Sequence, residues 1–449
     1  MENDTVCAVT TGAGGAVAML RLSGPAAWSA VKTLAKRDFA PEPNRVYLLK
    51  LYDGGAVLDQ TLVTFFQGPK SFTGEDVAEI ACHGSPYIKG RLLEILQPLG
   101  VRPAKNGEFT MRAFLNGKMD ITQAQGLCDL IAADNAMAHG AAMHSMEGKL
   151  SEKFKNIKNS LSELLAQIEV RLDDVDEEMT PLDPAYVNGI LGEVTTSVKD
   201  LIDTFRTGKF IKDGIKVSIV GVPNAGKSSL LNAILGYDRA IVSEVSGTTR
   251  DTIEDAFDYK GHKIILTDTA GIRAHTLDAA EKQGMERSLL AAKKADIIIF
   301  TIDSSVRTNP DEIKFWDSIN TLGKKIILAC NKTDIAFHEP KLLGEYDTVK
   351  VSSTNGDGIE ELKQAIVNAV DMGHVDLNSN IITSAVQYDM LVKTATEMED
   401  ALKTVASGIG MEFTAEHIRR ALFHLKEIIG EVYADDILGI IFSKFCVGK

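Results

Sequence analysis

The octapeptide Gly221-Val-Pro-Asn-Ala-Gly-Lys-Ser228 lies between an apolar run, Lys216-Val-Ser-Ile-Val220, and a helical stretch, Ser229-Leu-Leu-Asn-Ala-Ile-Leu235. Strand, glycine-bearing loop and helix in this order are the context in which backbone N–H groups turn inward around phosphates. The strand cannot stand alone. Further buried-strand candidates follow at His262-Lys-Ile-Ile-Leu-Thr267, Asp296-Ile-Ile-Ile-Phe300 and Lys325-Ile-Ile-Leu-Ala329. Apolar runs alternating with helical segments predict a parallel, doubly wound α/β sheet over residues 214–373.

The loop residues carry their own chemistry. Gly221 and Gly226 let the backbone close on phosphate, Lys227 sets a cation on the β- and γ-phosphates, and Ser228 offers a hydroxyl to Mg²⁺. Asn224, Ala225 and Ser229 complete the predicted phosphate contacts. Asp268 ends a strand, which suits holding Mg²⁺ through water, and Thr269, Ala270 and Gly271 continue that turn. Asn331-Lys332-Thr-Asp334 also follows a strand. The Asp334 carboxylate can accept two hydrogen bonds from guanine, and adenine has no matching donor pair. Lys332, Ser352 and Ser353 belong to the same base-binding set. The four segments in this order predict a GTP-binding, GTP-hydrolysing P-loop domain. In Gly247-Thr-Thr-Arg-Asp251, Thr249 is the residue expected to close on Mg²⁺. The position that holds a water-orienting Gln in Ras-like switches is Ile272, which has no polar group. Arg273, Glu281 and Glu286 are the nearby alternatives, and the residues alone leave the choice open.

A chain of 449 residues predicts two to four domains. Residues 1–118 read as mixed α/β, with strand-like runs at Ala16–Leu20, Val46–Leu49 and Leu62–Phe66. Residues 119–210 read as helices, with Leu161, Leu165, Ile168 and Leu172 at helical spacing. The acidic stretch 173–178, followed by Pro181, marks a break. Residues 375–442 return to a helical pattern. The simplest architecture is α/β plus α, with the P-loop domain inserted between two parts of one helical domain. No apolar run reaches the roughly 18 residues that span a bilayer. The start, Met1-Glu-Asn-Asp-Thr, has no basic region or signal-peptide core, so a cytoplasmic protein is expected. The net charge of −14 argues against unaided, non-specific nucleic-acid binding. The charge is uneven: residues 1–118 carry 13 Lys and Arg against 11 Asp and Glu, a net of +2 that leaves −16 for the remainder. The five cysteines are scattered and show neither disulfide nor metal spacing. Cys446 stands four residues from the end, but Gly448 and Lys449 do not make a prenylation box.

Other blocks are more specific than the GTPase motifs. They include Leu20-Arg-Leu-Ser-Gly24, Ser71-Phe-Thr-Gly-Glu-Asp-Val77, Cys82-His-Gly84, Arg112-Ala-Phe-Leu-Asn-Gly-Lys-Met-Asp120 and the terminal Ile441-Phe-Ser-Lys-Phe-Cys-Val-Gly-Lys449. On these the chain resembles the tRNA modification GTPases of the MnmE (TrmE) type along nearly its whole length. The resemblance implies four segments. Residues 1–118 form a tetrahydrofolate-binding-like domain that dimerises, 119–213 a first helical part, 214–373 the Ras-like GTPase domain, and 374–449 a second helical part. It implies a homodimer that joins an FAD-dependent partner in a heterotetramer and acts on the wobble uridine of certain tRNAs. The product would be a 5-carboxymethylaminomethyl or 5-aminomethyl group, with a 5-formyl- or 5,10-methylene-tetrahydrofolate supplying the one-carbon unit.

The same resemblance places roles on matching positions. Asn224, Ser243, Val245 and Thr248 would form a K⁺ site when two GTPase domains meet, with Glu244, Ser246 and Gly247 in the same nucleotide-facing segment. Glu281 would orient the attacking water, and Arg250 and Asp251 would help close the switch. Arg21, Glu79, Lys118 and Lys449 would hold the folate; Arg and Lys suit a carboxylate tail, and Glu suits the N–H and amino groups of a pterin. The chain departs from the family pattern at Thr10–Gly15, at Asn106 and at Asn380, and switch II is one residue longer before Glu281. A regulatory RNA-binding GTPase, such as a ribosome-assembly factor, shares the GTPase motifs. It would not require residues 1–118 or the terminal Phe445–Lys449.

Overall fold

The structure is a computed structural model. It describes residues 4–12, 14–173, 179–236, 255–267, 281–344, 346–370, 379–432, 442 and 448, with backbone only for 281–287. The chain divides into two compact units, one of residues 1–128, 145–195 and 393–449, the other of 129–144 and 196–392.

In the first unit six strands form a sheet: β1 (Thr5–Val9), β2 (Val17–Ser23), β3 (Val46–Asp53), β4 (Ala56–Phe66), β5 (Val77–His83) and β6 (Val101–Pro103). Their order is β3-β4-β5-β2-β1-β6. All neighbours are antiparallel except β1 and β6. Alternation along β2 explains how the sheet packs. Ala18, Leu20 and Leu22 are buried in a core with Phe65, Ile80 and Leu92, whereas Val17, Met19 and Arg21 lie on the opposite face. The helices Ala27–Leu34 and Pro86–Leu96 supply the other side of that core.

The same unit contains the long helices Lys149–Leu172 and Met411–Ile429, which pack together. In the first, Phe154, Leu161, Leu164 and Ile168 are buried. The expected stripe through Leu165 and Leu172 is thus displaced: Leu164 takes the inward position and Leu172 is exposed. Helical spacing alone does not say which of two neighbouring leucines faces the partner.

The second unit carries a six-stranded sheet of β7 (Ile215–Val220), β8 (Asp255–Tyr259), β9 (His262–Thr267), β10 (Ile297–Asp303), β11 (Lys325–Asn331) and β12 (Asp347–Lys350), in the order β12-β11-β10-β7-β9-β8. Five strands are parallel, as expected, but β8 runs antiparallel to β9 at one edge. The chain moves from β7 to β8 and β9 on one side and then crosses to β10 on the other. The carboxyl end of β7 is therefore the switch point where doubly wound sheets open a ligand crevice. Two apolar clusters cover the faces of the sheet, one around Ile219, Leu230 and Leu266, the other around Phe300, Phe315 and Trp316. Among the described residues no helix is long and apolar enough to cross a membrane.

Candidate functional site

The phosphate loop leaves the end of β7 and enters the helix Lys227–Gly236. Gly221 has φ +156° and presses on β10, where a Cβ would collide with the Thr301 carbonyl. Gly226 has φ +89°, and a Cβ there would collide with Asn331 Nδ2. Both positions exclude a side chain by close approach. Asn224 adopts a left-handed conformation, φ +65°, which Asn tolerates better than most residues. Lys227 folds its ammonium over the loop and donates to the carbonyls of Gly221 (2.9 Å) and Val222 (2.8 Å). Burial lowers its pKa to about 8. Ser228 is half-buried at the first helical turn, and Ser229 is exposed beside it.

Asn331, at the end of β11, ties three segments together. Its Nδ2 donates to the Ala225 carbonyl in the phosphate loop at 3.1 Å. Its Oδ1 accepts from the backbone N–H of Lys332 (2.9 Å) and from the N–H (3.1 Å) and hydroxyl (2.9 Å) of Ser353. Lys332 Nζ bridges the Asn224 carbonyl (3.0 Å) and the Asp303 carboxylate (2.6 Å). Burial alone would raise the pKa of Asp303, but hydrogen bonds from Lys332 and Ser305 outweigh it and hold the carboxyl below its ordinary value. Asp334 is exposed, and its Oδ1 accepts the hydroxyl of the buried Ser352 at 2.7 Å. The second oxygen can then point to a base. The loops after β7, β11 and β12 thus converge on one edge of the sheet, as the motif order requires.

Of the predicted residues, Asn224 to Ser229, Asn331, Lys332, Asp334, Ser352 and Ser353 are placed on this edge. Ser243 to Asp251 and Asp268 to Gly271 lie outside the described residues, as do Ile272, Arg273, Cys446 and Lys449. Glu281 and Glu286 stand on the helix Glu281–Lys294, of which only the backbone is described there. Asp303 and Thr301 escaped the sequence reading. A signal existed: both sit at the carboxyl end of the strand beside β7, where such sheets build their sites.

Comparison with known proteins settles the family. A family model described as the MnmE helical domain matches residues 121–446, and one described as the GTP-binding protein TrmE N-terminus matches residues 5–118. The tRNA modification GTPase MnmE of Aquifex aeolicus is 38% identical over 454 residues, covering 100% of both chains. This chain belongs to the MnmE family of tRNA modification GTPases. The Cytophaga hutchinsonii member is 36% identical over 455 residues, covering 100% of this chain and 98% of its own. Among solved structures, the G domain of the T. maritima FeoB iron transporter matches 34% of this chain and 98% of its own at 28% identity, with a TM-score of 0.25. As an MnmE family member the chain is an enzyme of the GTP-hydrolysing class.

The part matched by the TrmE N-terminal model holds the other predicted residues of this MnmE family chain. Arg21 and Glu79 face each other across β2 and β5, and two of the Arg21 nitrogens reach Glu79 Oε1, Nε at 2.8 Å and one terminal nitrogen at 2.7 Å. The guanidinium also lies over the rings of Phe72 (4.9 Å) and Phe109 (5.7 Å). Lys118 donates to the Pro69 carbonyl at 2.9 Å. One loop therefore serves both cations, Phe72 beneath Arg21 and Pro69 at Lys118. That loop is pinned from below. The buried Arg112 donates to Glu75 at 3.1 Å, Ser23 donates to Glu75 at 2.6 Å, and Asn116 donates to the Thr73 carbonyl at 2.7 Å. Gly448, one residue before the end, stands against Val9 and Thr10.

Proposed function

We propose that this chain hydrolyses GTP to support modification of the wobble uridine in certain tRNAs, in complex with an FAD-dependent partner. The observation that supports the reading is the joining of the phosphate loop to the Asn331–Asp334 and Ser352–Ser353 segments through Asn331, in a chain that aligns end to end with curated tRNA modification GTPases. The product would be a 5-carboxymethylaminomethyl or 5-aminomethyl uridine, made in the cytoplasm.

The residues present suit the groups this function needs. Ser228 stands at a helix start where a hydroxyl can bind Mg²⁺, with Thr249 as its proposed partner ligand. The left-handed turn at Asn224 brings a side-chain amide to the rim of the phosphate loop, and Asn224 with Ser243, Val245 and Thr248 would take K⁺. A bound cation would neutralise charge developing on the transferring phosphoryl group. Glu281 would orient the attacking water, while Arg250 and Asp251 would support the closed switch. In the N-terminal part, two of the three Arg21 nitrogens use one oxygen of Glu79, so the other oxygen can accept from the amino edge of a pterin. Lys118, and Lys449 beyond the described residues, would meet a carboxylate tail, and a tetrahydrofolate would supply the one-carbon unit. Residues 1–118 would also dimerise; Val46 and Leu48, 59% and 60% exposed on β3, suit a second copy of the chain. We assign the four segments 1–118, 119–213, 214–373 and 374–449 to folate binding and dimerisation, first helical part, GTPase and second helical part.

The test is mass spectrometry of tRNA nucleosides from cells lacking the protein, complemented with wild type or Glu281→Ala. Loss of 5-carboxymethylaminomethyl-type uridine, restored by wild type alone, is expected. An unchanged nucleoside profile in the deletion would sink the reading and favour a ribosome-assembly GTPase.

A further inference from the structure

Two residues of the nucleotide site other than glycine hold left-handed backbone, Asn224 at φ +65° and Lys332 at φ +64°. A lysine has no local reason to stand there, and it persists only where its surroundings over-determine it. One side chain joins the two positions. Lys332 Nζ donates to the Asn224 carbonyl at 3.0 Å and to Asp303 Oδ2 at 2.6 Å. Asp303 is the fixed end of this chain of contacts. Its Oδ1 accepts from the Ser305 N–H at 3.0 Å and from the Ser305 hydroxyl at 2.5 Å. Ser304 ties the same turn to β11, donating through its N–H (2.9 Å) and its hydroxyl (2.7 Å) to the Asn331 carbonyl. The side chains of Lys332 and Asp303 are 32% and 20% exposed, and a partly exposed pair adds little to stability. It can still decide where an ammonium sits.

That position controls one peptide group. The C=O and N–H of a trans peptide point in opposite directions. With the Asn224 carbonyl turned out to Lys332, the Ala225 N–H points back into the phosphate loop, toward the Val222 carbonyl at 3.4 Å. This is long for an N–H···O bond, so a phosphate oxygen can take the donor over at little cost.

We propose that Asp303 is a positioning residue for the β-phosphate: by fixing Lys332 it holds the Asn224–Ala225 peptide with its N–H inward. This rests on the assignment of Asn331–Asp334 to guanine. The test is displacement of a fluorescent GDP by GDP and by GMP on the full chain, with thermal unfolding of each variant. GMP lacks the β-phosphate and reports the base site. Asp303→Asn keeps the shape and the acceptor for Ser305 but removes the charge. It should weaken GDP about tenfold and leave GMP within about twofold of wild type. Lys332→Met keeps the stem and loses the ammonium, so it should weaken GDP more than Asp303→Asn does. In that background Asp303→Asn should change GDP affinity by less than about twofold. A structural role would lower GDP and GMP binding alike and would add to the loss in Lys332→Met. Equal losses for the two nucleotides, additive losses, or wild-type GDP affinity in Asp303→Asn overturns the proposal. If Asp303→Asn does not fold, Lys332→Met alone decides, and GDP and GMP affinities that fall in step overturn it. Wild-type protein that prefers ADP to GDP removes the guanine assignment instead.

Discussion

At the scale of single residues, two groups at the nucleotide site have measurable chemistry. Asp334 accepts the Ser352 hydroxyl through one oxygen, which leaves the other for the proposed contact with a guanine base. Asp334→Asn replaces an acceptor by a donor; GTP affinity should fall roughly a hundredfold while xanthosine triphosphate affinity rises. Competition binding between the two nucleotides checks this, and unchanged GTP affinity rejects the guanine assignment. Lys227 is a matter of protons. Burial brings its pKa from 10.5 to about 8, so between those values the folded chain has released a proton that the unfolded chain keeps. Stability therefore rises with pH across that window, and the full burial cost is present below it. Phosphates beside the ammonium favour its charged form. GTP binding should take up a proton above pH 8, with Kd level below that value and rising by up to about tenfold per pH unit above it. A titration with fluorescent GTP that shows a flat Kd up to pH 9.5 would contradict this.

At the scale of elements, the site exists because three strand ends share a side chain. Asn331 leaves β11 fully buried and reaches the loop after β7 and the loop after β12. Asn331→Ala strands the Ala225 carbonyl and the Ser353 N–H together, and should cost about 2–4 kcal/mol of stability along with a loss of GTP affinity. Chemical denaturation measures the first and nucleotide titration the second; a variant within 0.5 kcal/mol of wild type, on the order expected for a neutral surface change, would show that the loops are held by other means. The N-terminal loop shows the same logic with charges. Arg112 and Glu75 fix its base, and the loop then sets Phe72 under Arg21.

At the scale of the whole molecule, the two units bear different side-chain clusters, the phosphate loop with Asn331 in one and the Arg21–Glu79 pair in the other. The proposed homodimer belongs to this scale. Val46 and Leu48 present apolar side chains on the outer face of β3, away from the core beneath Leu49 and Leu51. Leu48→Glu should leave the fold intact, since the residue is exposed, and shift the chain from dimer to monomer. Light scattering coupled to gel filtration checks the mass; a variant that remains dimeric would move the interface elsewhere.

Local chemistry was legible in the sequence alone. A phosphate loop needs only a strand, two tightly approached glycines, a lysine and a helix start, all within adjacent residues, and the segment proposed to read the base is equally local. The parallel core strands were legible because they are continuous apolar runs. β8 was not: Asp255-Ala-Phe-Asp-Tyr259 buries only Phe257 and Tyr259, and two aspartates disguise an edge strand whose period is two. Nor could helical spacing choose Leu164 over Leu165. The remaining features join groups far apart in the chain. Asn331 meets Ala225 across 106 positions, Arg21 meets Glu79 across 58, and Lys332 meets Asp303 across 29. Those meetings depend on strand order and register. Both are set by how every apolar face is buried at once, so only the tertiary structure decided them.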